Sequence, residues 1–72
     1  MNFKDQLKII IASDSDYVNL IAEIYCNDKF IALLQQEDGV TDIKVKFSSN
    51  IDALDLDWLQ NALHEARKKL LN

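Results

Sequence analysis

The stretch NIDALDLDWLQ, residues 50–60, sets Asp52, Asp55 and Asp57 immediately before Trp58, the single tryptophan. Carboxylates this close together ligate a metal, meet a basic partner, or start a helix. At about 100° per residue, a helix puts Asp55 roughly 60° from Asp52 but turns Asp57 away from both, so the three do not converge on one ion. A calcium loop also needs an internal glycine and a closing glutamate, and this stretch has neither. The helix-start reading fits better. Asp52 or Asp55 can accept hydrogen bonds from the free N–H groups of a first turn. All three charges then stand at the positive end of the helix dipole, with Arg67, Lys68 and Lys69 at the negative end. A second acidic pair, Asp14 and Asp16 in SDSD, has no third ligand close in sequence and reads as a solvated turn.

Other reactive side chains are isolated. His64 is the only histidine and has no matched serine or cysteine beside it, which favours a helix-surface position over a general base. Cys26 is the only cysteine, and Lys29 is the one basic group near it in sequence. It reads as a small apolar residue rather than an activated thiol. Glu23 falls inside an apolar segment and could pair with a lysine across a sheet. An enzyme built on Glu23 and His64 would need the two in one pocket. With a single glycine, Gly39, there is no phosphate-cradling loop, and zinc spacing is absent. The chain is therefore expected to be non-enzymatic, with no metal and no cofactor.

The elements that must position these residues are short. The chain has no proline, so its turns fall to Asn, Asp and Ser, at residues 13–16, 27–28 and 37–42. Between them, LIAEIYC (20–26), FIALLQQ (30–36) and IKVKF (43–47) are apolar or alternating and bounded by turns, as strands are. Asn27 and Asp28 suit a two-residue hairpin loop. Continued in plain register, that loop sets Tyr25 opposite Phe30, Ile24 opposite Ile31, Glu23 opposite Ala32 and Ala22 opposite Leu33. The first segment is ambiguous: Phe3, Leu7, Ile10 and Ile11 have helical spacing, while Leu7, Ile9 and Ile11 have strand spacing. Three successive isoleucines, stiff at χ1, favour a strand from about 4 to 12. A C-terminal helix follows from Leu56, Leu59, Leu63, Ala66 and Leu70, spaced as one apolar stripe, with Glu65 and Lys69 as a supporting pair. The expected fold is α+β: an antiparallel β-meander, ββββα, with the helix on one face. The alternative order is αβββα.

At 72 residues the chain makes one domain, and such a domain buries only about 60% of the surface of its unfolded chain. Hydrophobic residues make up 49% and charged residues 28%, which suits a packed core and argues against disorder. The net charge is −4 and the pI about 4.6, so direct nucleic-acid binding is disfavoured. One cysteine, no secretory leader pattern and no long apolar run point to a cytoplasmic protein that does not enter membranes.

One helix covers one face of a four-stranded sheet. The central hairpin carries large apolar groups on both faces, which leaves an apolar surface for another macromolecule. Tyr17, Tyr25 and Trp58 are residue types that anchor interfaces, although Trp58 also suits the core at the helix start.

The segments SDSDYVNLIAEIYCNDKFIALLQQEDG and LDLDWLQNALHEARKKLL resemble a group of small uncharacterised bacterial proteins. The resemblance rests on Asp16 to Tyr25, Asp28 to Glu37, and Leu56 to Trp58, and implies no activity. In size and acidity the chain also resembles bacterial immunity proteins and phage-encoded anti-CRISPR inhibitors. The expectation is a protein-binding module for a partner with a basic surface, using Asp14, Asp16, Tyr17, Tyr25, Asp52, Asp55 and Asp57. A homodimer through the uncovered sheet face is the alternative.

Overall fold

A computed structural model describes residues 5–72. Phe3 and Lys4, which the sequence reading used in the first segment, lie outside the described residues. The chain forms β1 (Leu7–Ala12), β2 (Ile21–Cys26), β3 (Lys29–Gln35), β4 (Lys44–Phe47) and α1 (Leu56–Leu70). The strands lie in the order β1-β2-β3-β4, each antiparallel to the next, so the fold is the ββββα meander. The isoleucine-rich first segment is a strand, and the αβββα order is not found.

Asn27 and Asp28 both adopt positive φ, 52° and 69°, as a two-residue turn matching the twist of its strands requires. Tyr25 faces Phe30 as expected. Beyond that pair the expected register is wrong: a bulge makes Ile24 face Ala32, Glu23 face Leu33 and Ala22 face Leu34. The cause is packing. The extra residue sends both Ile31 and Ala32 to the helix side, where they are buried. Without the bulge, Leu33 and not Leu34 would join the core.

The helix begins at Asp55, whose carboxylate accepts the Trp58 N–H at 2.9 Å. Asp52, the other candidate cap, is exposed in the preceding loop. The last turn carries Arg67, Lys68 and Lys69, and the Leu71 N–H donates to the Arg67 carbonyl. The buried stripe is Trp58, Ala62, Ala66 and Leu70. This shifts the expected stripe: Leu56 is 64% exposed, while Leu59 and Leu63 flank the core half-buried. Two alanines form the centre of the stripe, both fully buried, and Trp58 is the large buried side chain at its start. Ion pairs among the described residues join Lys8 to Asp28 and Lys44 to Asp42; Glu65 and Lys69 do not form the expected pair.

The helix packs against β2 and β1. Its core partners on the sheet are Ala22, Ile24, Ile31, Ala32 and Leu34. Burying each large aliphatic side chain stabilises the fold by about 1.5–3 kcal/mol before entropy is counted. β4 lies beyond the helix, and all four of its residues are exposed.

Candidate functional site

Pleating sends Glu23, Tyr25, Phe30 and Leu33 to the face opposite the helix, with Lys8 and Ile10 from β1 and Lys44 and Lys46 from β4. This open face is not bare. Ile21 lies on it and is nevertheless buried. The 13–20 connection folds back over it, and three sets of bonds fix that connection. The Asp14 carboxylate accepts the Asp16 N–H at 2.8 Å, and the Asp14 carbonyl accepts the Tyr17 N–H at 3.0 Å, closing a tight turn. The two oxygens of the Glu37 carboxylate accept the N–H groups of Val18 and Asn19 at 2.7 and 3.0 Å. Finally, Gln36 Nε2 donates to the Leu20 carbonyl. The SDSD segment is therefore a turn between strands, as its composition suggests.

Between this loop and the sheet lies a cleft of about 420 Å³. Asp14, Asp16 and Tyr17 form one wall. Phe30 and Leu33 of β3 line it, together with Lys46 and Phe47 of β4 and the serines that follow. Phe30 also meets the Tyr25 ring edge-on, at 5.7 Å between centroids and 65° between planes. The aromatic surface thus runs from the cleft to Tyr25. The Tyr25 hydroxyl donates to Glu23 Oε1 at 3.3 Å. Burial, and then the Glu23 charge and hydrogen bond, raise the Tyr25 pKa above the usual phenol value. Glu23 faces Ile10 and Leu33 and not a lysine, so the cross-strand pair suggested by its position is not formed.

Asp14, Asp16 and Tyr17 are therefore brought together, and Phe30 links them to Tyr25. The other acidic candidates lie elsewhere. Asp52 borders a separate depression beside Cys26 and the hairpin turn. Asp55 caps the helix, and the Trp58 N–H it accepts holds its pKa below the usual carboxylate range. Asp57 is exposed in the first turn. Trp58 is 3% exposed and belongs to the core, so it is not an interface anchor on a free surface.

Glu23 and His64 are on opposite sides of the sheet, because the helix that carries His64 packs on the face Glu23 points away from. The two do not share a pocket. Cys26 faces Lys29 across the turn and packs against the core half-buried. Burial raises its thiol pKa and Asp5 adds to the shift, against a smaller opposing effect of Lys29. No group of three or more His, Cys, Asp or Glu side chains arranged to hold a metal occurs among the described residues. None of their helices is long and apolar enough to cross a membrane.

Several residues of the cleft escaped the sequence reading. Leu33 reaches the open face only because of the bulge. Glu37 acts across 18 and 19 residues of chain, a relation that no local pattern encodes. Phe30 could have been named, since it occupies an open-face position in the expected register. No protein-family model, curated protein or solved structure matches this chain.

Proposed function

We propose that this chain is a non-enzymatic protein-binding module that engages the basic surface of a partner, as an inhibitor of a nucleic-acid-handling protein or a toxin. The supporting observation is the open-face cleft, where two loop carboxylates stand beside an aromatic and aliphatic floor and outnumber the one cation in the lining, Lys46. A lysine or arginine side chain entering there meets carboxylates for its head and the apolar Phe30 and Leu33 for its stem. The net charge of −4 adds long-range attraction for a basic partner. The loop is held by its own turn bonds and by Gln36 and Glu37 after β3, so little order need be gained on binding.

Homodimerisation through the open face is the weaker reading. Of the large apolar residues that border that face, Ile10 and Phe47 are the exposed ones, and they lie on the two outer strands. The 13–20 loop occupies part of the remaining space.

The test is affinity capture from lysate of the source cell with wild-type bait and an Asp14→Lys/Asp16→Lys bait side by side. The partner is then purified and titrated at low and high salt. A partner lost by the double variant, with affinity falling as salt rises, supports the proposal. A partner held equally by both baits and indifferent to salt overturns it, as does failure of the wild type to retain any basic protein.

A further inference from the structure

The two edges of the sheet are built differently. β4 is four residues long and carries Lys44 and Lys46, both features that discourage strand addition. β1 is six residues long, LKIIIA, and pairs with β2 without a bulge. Its one charge, Lys8, is within 3.4 Å of Asp28.

Main-chain direction along β1 follows from its first bonded neighbour. The Gln6 N–H donates to Asn27 Oδ1 at 2.7 Å, and the Gln6 carbonyl accepts the Asn27 N–H at 2.9 Å. Both groups of Gln6 thus point toward the hairpin. Antiparallel ladders alternate, so Lys8, Ile10 and Ala12 also turn their N–H and C=O groups toward β2. Those of Leu7, Ile9 and Ile11 turn outward, and β1 has no second strand neighbour among the described residues to receive them. Ile10 and Ile11 point to opposite faces and are 39% and 38% exposed.

We propose that β1 is a self-association edge. Two copies pair antiparallel along it, about a two-fold axis at Ile9, to make one continuous sheet. In this register Leu7 faces Ile11 of the second copy and Ile9 faces its own counterpart. Every outward N–H and C=O of these three residues then finds a partner. All three side chains extend the helix-side layer, and on the other face Lys8 lies beside Ile10 of the second copy. A second copy fits this edge because the strand is its own complement: pairing covers exposed isoleucines on both faces at once and opposes no like charges. The inference is independent of the acidic-cleft reading, and its salt dependence has the opposite sign. Two chains of charge −4 repel, so added salt tightens the dimer.

Sedimentation equilibrium across a dilution series tests the proposal, with Ile11→Pro and Ile10→Lys as variants. Ile11→Pro removes an outward N–H and leaves the β1–β2 bonds in place, as edge positions allow. Ile10→Lys places a charge on the edge from a side chain already at the surface, and serves if the proline variant fails to fold. The wild type is expected to form a dimer that dissociates on dilution, and each folded variant to weaken it by about tenfold or more. Amide exchange should slow with rising concentration at Leu7, Ile9 and Ile11, with no such change at Lys8, Ile10 and Ala12. A wild type that stays monomeric at every concentration overturns the proposal. So does a dimer that both folded variants preserve, or one without the alternating amide pattern.

Discussion

The Glu37 carboxylate accepts the Val18 N–H at 2.7 Å, across 19 residues of sequence, and one oxygen over it holds Asn19 in the same way. These bonds hold the Glu37 pKa below the usual carboxylate range, chiefly through Val18 and then Asn19. A carboxylate with a depressed folded-state pKa contributes its stabilisation in full above the unfolded value. The contribution is lost as pH falls through the folded value. Val18 and Asn19 amides should therefore be protected at neutral pH and remain so below the point where an ordinary glutamate protonates. They should open under stronger acid. Glu37→Gln, which offers one acceptor oxygen and no charge, should speed exchange at both amides at neutral pH. Exchange rates at Val18 and Asn19 that do not differ between wild type and variant would refute this role.

Asp55 behaves in the same direction for a different element. Its carboxylate accepts the Trp58 N–H at the helix start, and that bond is the main cause of its lowered pKa. Asp55→Ala should lower the thermal midpoint and reduce helical circular dichroism. Asp55→Asn should lose less, because asparagine caps nearly as well. The stabilisation from the charged cap is present at neutral pH and lost as pH falls through the depressed value. The Asp55→Ala midpoint should therefore approach that of the wild type in strong acid, followed by thermal melts over a pH series.

The register of the central hairpin gives a sharper test. Leu34 is 2% exposed beneath the helix, while Leu33 lies half-buried on the open face. Leu34→Ala should cost about 2–5 kcal/mol in urea unfolding, and Leu33→Ala about 1 kcal/mol. For a domain of this size the first value is a large share of the total stability. An unbulged hairpin would reverse the order of the two costs.

That pair of leucines also marks where the sequence stops being legible. The alternation in IKVKF, the turn residues Asn27 and Asp28, and the three isoleucines at residues 9–11 gave the four strands and their meander. Each of those signals is local. FIALL is apolar at every position, so it carries no period of two to say which side each residue takes. The helix decides, by packing against Ile31, Ala32 and Leu34 together. The same holds for the helix stripe. Leu56 and Trp58 are both apolar, and only the position of the sheet selects Trp58 for burial and leaves Leu56 in solvent. For the candidate site, Asp14, Asp16 and Tyr17 were legible as a polar turn with an aromatic. Their placement over β3 and β4 was not, because it depends on Glu37 reaching back to the loop.

The buried indole of Trp58 gives the last prediction. Its Nε1–H has no hydrogen-bond partner among the described residues, although the side chain is almost wholly enclosed. A buried donor left unpaired costs about 1–3 kcal/mol. Trp58→Phe deletes that donor and also part of the ring, so two effects oppose each other. Phenylalanine loses apolar contact and leaves a small void, while the unpaired N–H disappears. The expected net cost is about 1 kcal/mol or less, whereas Trp58→Ala, which empties the site, should cost about 3–5 kcal/mol. Urea unfolding followed by circular dichroism measures both without relying on tryptophan emission, which the variants lack. A Trp58→Phe cost close to that of Trp58→Ala would mean that the indole N–H is satisfied in solution, by a water or by a shift of the chain. The contribution of this side chain to the core would then include a hydrogen bond.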